Sequence, residues 1–329
     1  MKILALCTTA IGDVMFCTPA IAALSKIASV DVLCHYRRAP LLWHNPHIAK
    51  IYTYHNNDFR RARLALQLLP RHYDLVAVLH ANDDVKRLLR FVRYHKGYNI
   101  QGWREPYLKM TALYRDRVTM HSLDLPLMVA EACGAPVPPL EQRTPQIYLT
   151  EADGKAAEQW LAQQKVNPAA PLVGMAIGGS AKIRHWPVAR FGRLAKELSA
   201  QHGCEIVVIG SRNEAPLLAG MYQAGAANFK PAFDMDLRLL CAIMARLAVL
   251  VTNDTGPMHL AHGLGIGAVA LFGVSNPDLI APRTALQEII CAYDKKAAPG
   301  ENSLSNIDYD TVKGAVLRAL ERFAKEKAK

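Results

Sequence analysis

The stretch Val251–Phe272 constrains the fold of this 329-residue chain more than any other part of it. An apolar run ends at residue 253, and the polar triplet DTG follows directly at 254–256. Pro257 then introduces an apolar helical segment, since proline suits the first turn of a helix, where backbone N–H groups have no intrahelical partner. A glycine-rich turn leads into a second apolar run, Ala268–Phe272. This order predicts a strand, a helix and a parallel strand, the repeating unit of an α/β sheet.

The residues at the start of that helix predict an anion site. N–H groups of a first helical turn carry partial positive charge and attract phosphate. Asp254 and Thr255 add a carboxylate and a hydroxyl, Gly256 allows close backbone approach, and His259 lies in the first turn. We therefore expect these four residues to seat a diphosphate and its sugars. The alternative is an ordinary helix that Asp254 or Thr255 caps.

Strand and helix patterns alternate along the whole chain and imply parallel sheets covered by helices. The alternation starts at Lys2–Cys7 and restarts at Glu151, after a proline-rich stretch over 135–146 that we interpret as a linker. We expect an α/β protein with two Rossmann-like domains and a cleft between them, the first over 1–150 and the second over 151–305. An amphipathic helix is expected over Asp310–Lys325, within the closing segment 306–329.

Composition indicates which metal sites, disulfides and cellular compartment to expect. Seven scattered cysteines without a CxxC pair argue against a zinc site and a disulfide framework. The sequence contains no run of 18 apolar residues, so we expect no membrane span. The apolar start fits a first strand better than a signal peptide. We therefore expect a cytoplasmic protein.

The net charge of +11 is uneven along the chain. Residues 1–150 hold 19 Lys and Arg against 11 Asp and Glu, a balance of +8. Arginines cluster around residues 60–71 and again, with Lys86, around 86–93. These clusters fit an acidic partner, either nucleic acid or a phosphorylated glycolipid on an anionic membrane. A solvated basic face remains the alternative, and the lack of interleaved aromatic residues disfavours nucleic acid.

A second polar motif follows the first predicted strand. Gly12 and Asp13 sit between that strand and a helix, at the sheet edge where α/β proteins bind ligands. A carboxylate there can remove a proton from an attacking hydroxyl, although Asp13 can also simply cap the helix. The absence of G-x-G-x-x-G after this strand disfavours a nicotinamide-binding domain.

Two further motifs carry charge in the second half. Ser180, Lys182 and Arg184 follow a predicted strand and its two glycines, and Arg184 can hold a phosphate with a bidentate fork. Glu214 follows the next strand, where it can accept hydrogen bonds from ribose hydroxyls. The alternative for Glu214 is a first-turn carboxylate that favours the helix dipole.

Taken together, these motifs resemble the heptosyltransferases of glycosyltransferase family nine. The matching stretches are Gly12-Asp13 with Thr18-Pro19-Ala20, Arg184-His185-Trp186-Pro187 leading to Phe191, Asp254-Thr255-Gly256 with His259, and Phe272-Gly273 followed by Asn276-Pro277. They occur in the family's order over nearly the whole chain. The resemblance implies the two-domain GT-B fold, an ADP-heptose donor bound by the second domain and an acceptor bound by the first. It also implies that the C-terminal helix packs back on the N-terminal domain.

The resemblance further implies roles for individual residues. Asp13 matches the proposed catalytic base, and Arg184 stands where the family often has a phosphate-binding lysine. The donor-side residues implied are Ser180, Glu214, Met235, Asp254, Thr255, Gly256 and His259, with Met235 in the loop that holds the base of the nucleotide. From its charge alone, we place Lys182 with them as a second cation that can reach a phosphate. We place Gly12, Arg60 and Arg61 on the acceptor side.

The expected reaction is inverting heptose transfer to an acidic glycolipid of the lipopolysaccharide inner core, at the inner face of the inner membrane. No well-placed DxD motif is present, and a helix terminus with cations can replace a metal ion, so we expect no metal and no cofactor. The alternatives are a sugar-nucleotide epimerase or hydrolase on the same fold, and a basic module that binds anionic ligands.

Overall fold

The computed structural model describes residues 1–114, 119–179, 181–298 and 301–327. The chain forms two compact units, Met1–Tyr148 and Leu149–Lys329. Within the described ranges, no helix combines the length and apolar character needed to cross a bilayer.

The first unit is a six-stranded sheet with helices. Its strands are β1 (Lys2–Cys7), β2 (Ser29–His35), β3 (Lys50–Tyr54), β4 (His72–His80), β5 (Arg93–Asn99) and β6 (Met110–Ala112), and its α-helices are α1 (Ile11–Ser25), α2 (Asp58–Leu68) and α3 (Asp124–Ala132). Shorter 3₁₀ helices cover Ala39–Leu42, Asp83–Phe91 and Leu140–Gln142. The strand order is β3-β2-β1-β4-β5-β6, and each paired strand is parallel to its neighbour.

The second unit repeats this plan. Its strands are β7 (Leu172–Ala176), β8 (Glu205–Gly210), β9 (Phe229–Phe233), β10 (Val249–Asn253), β11 (Ala268–Phe272) and β12 (Gln287–Cys291). Its α-helices are α4 (Glu151–Gln163), α5 (Val188–His202), α6 (Leu218–Gln223), α7 (Leu237–Met244), α8 (Gly256–Leu264), α9 (Pro277–Ile280) and α10 (Tyr309–Lys327), with 3₁₀ helices at Lys182–Arg184, Arg212–Leu217 and Leu304–Asn306. The sheet order is β12-β11-β10-β7-β8-β9, again with parallel pairs.

Each sheet has a topological switch point, where the strand order reverses. In the first unit it lies between β1 and β4, and in the second between β7 and β10. Connections on the two sides of a switch point leave in opposite directions, so a crevice opens beyond the carboxyl ends of the two strands, and ligands bind there in open α/β sheets. The expected α/β class with two Rossmann-like units is confirmed, whereas the expected cleft between the units stays a prediction.

The centres of both sheets are almost completely buried. Every residue of Ile3–Cys7 has 0% exposure, and so has every residue of Ala268–Phe272. Strands covered on both faces appear in the sequence as continuous apolar runs. The bounds predicted from the sequence therefore agree with those of β1 and β11 in the structure.

The proline-rich stretch 135–146 belongs to the first unit. Thr18 Oγ1 on α1 donates to Met15 O (2.9 Å), the carbonyl that Pro19 cannot serve because it lacks an N–H. The same hydroxyl accepts from Gln146 N (3.1 Å) and so fastens this stretch to α1. The division between the units falls after Tyr148, two residues before the expected one.

The closing helix α10 packs on the core of its own unit. The expectation that the segment 306–329 returns to the N-terminal domain stays a prediction. The apolar face of α10 joins the core of the second unit through Val312, Ala315, Val316 and Ala319. Lys313 Nζ also pairs with Glu197 on α5 at 2.7 Å. The stripe that made the helix recognisable is therefore buried against its own unit's sheet.

Candidate functional site

The switch point of the second unit is fixed by one buried amide. Asn253 ends β10, and its Nδ2 donates to the carbonyls of Ile177 (3.2 Å) and Gly178 (2.9 Å) beyond β7. Its Oδ1 accepts from Trp186 N (3.2 Å). One side chain therefore joins the loop after β7, the loop before α5 and the end of β10. The sequence predicts a strand end at Asn253, but not this role of its side chain.

Glu214 lies directly above the glycine turn. A Cβ placed on Gly178 would stand 1.8 Å from Glu214 Oε1, so the carboxylate occupies space that only a glycine leaves open. Ser211 holds the carboxylate from the other side, because its N–H and hydroxyl both donate to Oε2, at 2.7 and 3.0 Å. The alternative expected for Glu214, a first-turn carboxylate, is confirmed, because Glu214 forms a capping box at the 3₁₀ helix Arg212–Leu217. Its contact with ribose hydroxyls stays a prediction.

Arg184 and Asp254, two of the predicted residues, form an ion pair. Arg184 Nη1 lies 3.2 Å from Asp254 Oδ2, and the exposed fractions of the two side chains are 34% and 8%. Burial raises the pKa of Asp254, while a hydrogen bond from the Ser275 hydroxyl and the charge of Arg184 act in the opposite direction. A guanidinium carries five N–H donors, so one bond to Asp254 leaves donors that can contact a phosphate.

The residues after β10 form a helix start without a side-chain cap. Thr255 takes the N-cap position of α8, but its side chain makes no capping hydrogen bond. Its Oγ1 donates back to Asn253 O at 3.3 Å instead. The predicted alternative, a helix capped by Asp254 or Thr255, therefore holds for the position of Thr255 but not for its side chain. Gly256 and Pro257 open the helix, and His259 is buried in it, with 8% exposure.

His185 also contacts the glycine turn. Its Nε2 lies 2.9 Å from Gly179 O. A Cβ on Gly179 would stand 3.2 Å from His185 Cδ2 and 3.3 Å from Thr255 Cγ2. Side chains from two loops thus converge on the glycine turn and leave little space for a side chain at residue 179. We call Gly178, Gly179, Arg184, Glu214, Asp254 and Thr255 the glycine-turn pocket.

Three other predicted donor-side residues are not among the residues of the glycine-turn pocket. Lys182 begins the 3₁₀ helix Lys182–Arg184 and is exposed. Met235 lies half-buried in the loop between β9 and α7. Ser180 lies outside the described residues.

The switch point of the first unit holds Asp13. The residue stands in the first turn of α1, where its Oδ2 accepts from Ala10 N at 3.1 Å. The carboxylate is therefore a cap, as the alternative expectation had it, and it is also 28% exposed and open to solvent. Gly12 precedes it in the same turn.

His80 lies beside Asp13, and the sequence did not reveal it. It ends β4, and its Nε2 lies 3.5 Å from Asp13 Oδ1. Its Nδ1 lies 2.8 Å from Thr9 Oγ1, which orients the ring. A histidine directly after the apolar run Leu75–Leu79 is a usable signal, but the pairing of β1 with β4 is needed to place it next to Asp13.

Arg60 and Arg61, the predicted acceptor-side cations, differ in their surroundings. Arg61 is paired, with Asp58 at 3.4 Å and with Asp84 at 3.5 Å. Arg60 makes its side-chain contact with His55 Nδ1, at 3.0 Å. Arg60 also lines a cavity of about 510 Å³, which we call the basic cavity, with His35, Tyr36, Arg37, Arg38, His55, Asn56 and Asn57.

The basic cavity is cationic and lacks a lining carboxylate. His35 Nδ1 accepts from Arg38 Nη1 (2.8 Å) and Arg37 N (3.3 Å). Burial first, and then the charges of Arg38, Arg37 and His55, lower the pKa of His35. Burial and Arg60 likewise lower the pKa of His55. Both imidazoles are therefore disfavoured as cations beside three guanidinium groups. An anion in the basic cavity would relieve the repulsion between these positive charges.

No cluster of three or more His, Cys, Asp or Glu side chains that could hold a metal ion occurs in the part of the chain that the structure describes.

Solved structures share this architecture. A glycosyltransferase family 9 structure from Veillonella parvula superposes with a TM-score of 0.87 at 22% identity, covering 98% of this chain and 97% of its own. The E. coli ADP-heptose LPS heptosyltransferase II gives a TM-score of 0.81 at 23% identity and covers 98% and 99%. These similarities define the class: the chain has the two-domain GT-B fold.

The sequence places the chain within that class. The profile of glycosyltransferase family 9 (heptosyltransferase) matches residues 61–307, more than half of the chain. The chain therefore belongs to glycosyltransferase family 9. Lipopolysaccharide heptosyltransferase 2 of Salmonella typhimurium is 31% identical over 136 residues, which are 38% of this chain and 38% of that relative. The chain thus matches well under two thirds of the length of this curated relative, and Asp13 lies before the profile match.

Proposed function

We propose that this protein transfers a heptose from ADP-heptose to a lipopolysaccharide inner-core acceptor. The acceptor oxygen forms a bond to the anomeric carbon while the bond from that carbon to the β-phosphate oxygen breaks. The acceptor proton passes to Asp13, and ADP leaves with the electron pair of the broken bond. A single displacement of this kind inverts the anomeric configuration. Family membership supports the reaction class, and the residues at the two switch points support the roles below.

The glycine-turn pocket is the observation that carries the donor side. Its glycines allow close backbone approach, Arg184 offers a charge-assisted donor, and the uncapped start of α8 offers backbone N–H groups. Glu214 offers carboxylate oxygens to ribose hydroxyls, and Ser180, Lys182, Met235 and His259 complete the proposed donor set. These groups fit an ADP moiety, a diphosphate next to a ribose.

Stabilisation of the leaving group replaces a metal ion in this proposal. Negative charge grows on the diphosphate as the glycosidic bond breaks, and fixed donors aimed at that charge lower the barrier. Arg184 and the first turn of α8 supply such donors. We therefore propose a metal-independent reaction that needs no cofactor besides the donor substrate.

Asp13 is the proposed general base on the acceptor side. It is partly exposed at a switch point, and His80 lies 3.5 Å from one of its oxygens. A base in such a position contributes about 10²–10⁴-fold to the rate. Gly12 gives the acceptor access to the same turn, and Arg60 and Arg61 stand on the same unit.

The basic cavity supports an acidic acceptor. It opens beyond the carboxyl ends of β2 and β3, and these strands are parallel to β1, which precedes Asp13. Carboxylates or phosphates on an inner-core glycolipid would find three arginines there, whereas nucleic acid is not proposed as a partner. Since such an acceptor is anchored in a bilayer, we propose that the protein works in the cytoplasm, peripherally on the inner membrane.

A ligand panel tests this proposal. ADP-heptose, other ADP-sugars and UDP-sugars are compared for thermal stabilisation, since a ligand that binds the native state raises its apparent stability. We expect ADP-heptose to stabilise most and to yield a heptosylated acceptor detectable by mass spectrometry. Equal turnover of the donor with and without an acceptor would instead indicate an epimerase or hydrolase, and no response to any nucleotide sugar would overturn the proposal.

A further inference from the structure

Helix α2 carries apolar side chains on two opposite faces. Leu64 and Leu68 are buried, with 3% and 0% exposure. Phe59 and Leu66 are 79% and 70% exposed. At 3.6 residues per turn, Phe59 and Leu68 lie about 180° apart around the helix axis. The core therefore explains only one of the two apolar stripes.

The outer stripe continues onto a neighbouring element. Phe91, 49% exposed, ends the 3₁₀ helix Asp83–Phe91, and Leu69, 42% exposed, follows α2 directly. Leu66, Leu69, Leu88 and Phe91 together line an open groove of about 530 Å³ that is mostly apolar. We call Phe59, Leu66, Leu69 and Phe91 the α2 outer face. Several large apolar side chains grouped on a surface mark an interaction site more often than single ones do.

Positive charge surrounds the α2 outer face. α2 and the 3₁₀ helix carry six cations against three carboxylates. The carboxylates are used locally: Asp58 and Asp84 pair with Arg61, and Asp83 pairs with Lys86. Arg63, Arg87 and Arg90 are exposed and have no carboxylate partner among the described residues. Arg90 instead lies over the ring of Tyr107 at 4.2 Å.

We propose that the α2 outer face docks the protein on an anionic lipid bilayer. Phenylalanine and leucine side chains between arginines match the interfacial region of a membrane, where acyl chains meet negatively charged headgroups. A second copy of this chain fits less well, because a two-fold contact through this face would bring the same arginines against each other.

The position of the face also suits a lipid-anchored substrate. α2 follows β3 in a parallel sheet, so the helix starts at the sheet edge that carries Asp13, and Phe59 is followed directly by Arg60 of the basic cavity. An acceptor held by its acyl chains in the bilayer would extend its sugars along this edge. This inference rests on the proposed function for the identity of the acceptor, but not for the binding to lipid.

Vesicle flotation with the full chain tests the docking. We expect binding to vesicles of phosphatidylcholine with about one third phosphatidylglycerol, little binding to pure phosphatidylcholine, and weaker binding as salt shortens the Debye length from about 10 Å at 0.1 M towards 3 Å at 1 M. The double variant Phe59→Ser/Leu66→Ser should lose at least about tenfold in partitioning, because it removes the inserted apolar groups. Arg63→Ala/Arg90→Ala should lose binding to the anionic vesicles only.

Matched controls separate docking from folding and from catalysis. Leu140→Ser removes another exposed leucine of the same unit, 52% exposed, and should bind vesicles like the wild type. Phe59→Ser/Leu66→Ser should keep the wild-type melting temperature and its activity on an acyl-free acceptor, but lose activity on acceptor embedded in vesicles. Vesicle binding without heptose transfer would refute the proposed function and leave the docking intact.

Unchanged vesicle binding of Phe59→Ser/Leu66→Ser, or wild-type protein that transfers heptose without binding anionic vesicles, would overturn the docking. A concentration-dependent dimer in light scattering that this double variant abolishes would overturn it in favour of a second copy.

Discussion

His80 Nε2 lies 3.5 Å from Asp13 Oδ1, across the switch point of the first sheet. His80 ends β4 and Asp13 lies at the start of α1, so the two residues are 67 positions apart in the chain. Thr9 Oγ1 contacts the other ring nitrogen of His80 at 2.8 Å. The proposed base is thus oriented by a side chain that is itself held in place, an arrangement common around catalytic groups.

Replacement of His80 tests this orienting role. We expect His80→Phe to reduce kcat about tenfold, because it removes the polar nitrogen that lies 3.5 Å from Asp13 Oδ1, while ADP affinity stays unchanged. His80→Gln should retain more activity than His80→Phe, because an amide keeps a polar group beside Asp13. Steady-state kinetics and calorimetry with ADP measure both effects. Equal kcat values for the two variants and the wild type would remove His80 from the account.

Replacement of Arg184 tests the donor pocket. Arg184→Ala removes a charge-assisted donor and leaves the buried Asp254 without its cation, so ADP should bind about 10–100-fold more weakly. Arg184→Lys should recover part of the loss, because it keeps the charge without the planar fork. Calorimetry with ADP measures the affinities.

Arg246→Ala is the control for Arg184, since it breaks the exposed pair of Arg246 with Glu158 (2.6 Å) in the same unit. ADP affinity should be unaffected there. Wild-type ADP affinity of Arg184→Ala would contradict the phosphate contact.

A methyl group on Gly178 tests the position of Glu214. In Gly178→Ala the new Cβ would stand 1.8 Å from Glu214 Oε1, so the carboxylate must leave the glycine turn. We expect weaker ADP binding and a folded protein, because a flexible side chain can move. Gly154→Ala on α4 is the matched control: its Cβ meets Arg246 at 3.4 Å, and alanine favours a helix interior by about 0.5–1 kcal/mol. Its ADP affinity should equal that of the wild type.

Glu197 makes the attachment of α10 depend on pH. Hydrogen bonds from Lys313 and then Arg193 outweigh burial and lower the pKa of Glu197 to about 2, against an ordinary value of 4.5. Stabilisation by an acid with a lowered pKa is fully present above the ordinary value and is lost as the pH falls towards the lowered one. Glu197→Gln should therefore cost about 1–2 kcal/mol at neutral pH and much less near pH 2.

Thermal unfolding of Glu197→Gln and the wild type across pH measures this effect. Glu151→Gln, which changes an 82% exposed carboxylate of the same unit, should show no such dependence. A stability deficit of Glu197→Gln that is as large near pH 2 as at neutral pH would show that the pair is not its cause.

The centres of the sheets could be predicted because burial on both faces leaves a continuous apolar run. Peripheral strands lack that pattern. β9 contains Pro231 and lies at a sheet edge, where a missing N–H is tolerated. β5 carries the charged or polar residues Arg93, His95, Lys96 and Asn99 and so lacks a continuous apolar run. β6 is an edge strand of three residues, Met110–Ala112, which is too short to show a periodic pattern.

The candidate site was predictable one motif at a time, but its pairings were not. Strand ends followed by glycine, carboxylate or hydroxyl residues mark ligand-binding edges in parallel sheets, and this pattern predicts Asp13 and Thr255 as site residues. The contacts Arg184–Asp254 and Asp13–His80 depend on which strands are neighbours. Strand order joins segments about 70 positions apart, and no local periodicity encodes it.

The most direct test of the central claim is the rate of ADP release from ADP-heptose by Asp13→Asn in the presence of acceptor. Asparagine keeps an acceptor for Ala10 N–H, so α1 should stay capped and the melting temperature should stay near that of the wild type. It cannot take a proton, so we predict that kcat falls about 10²–10⁴-fold while ADP affinity is unchanged. Wild-type turnover by a folded Asp13→Asn protein would contradict the account.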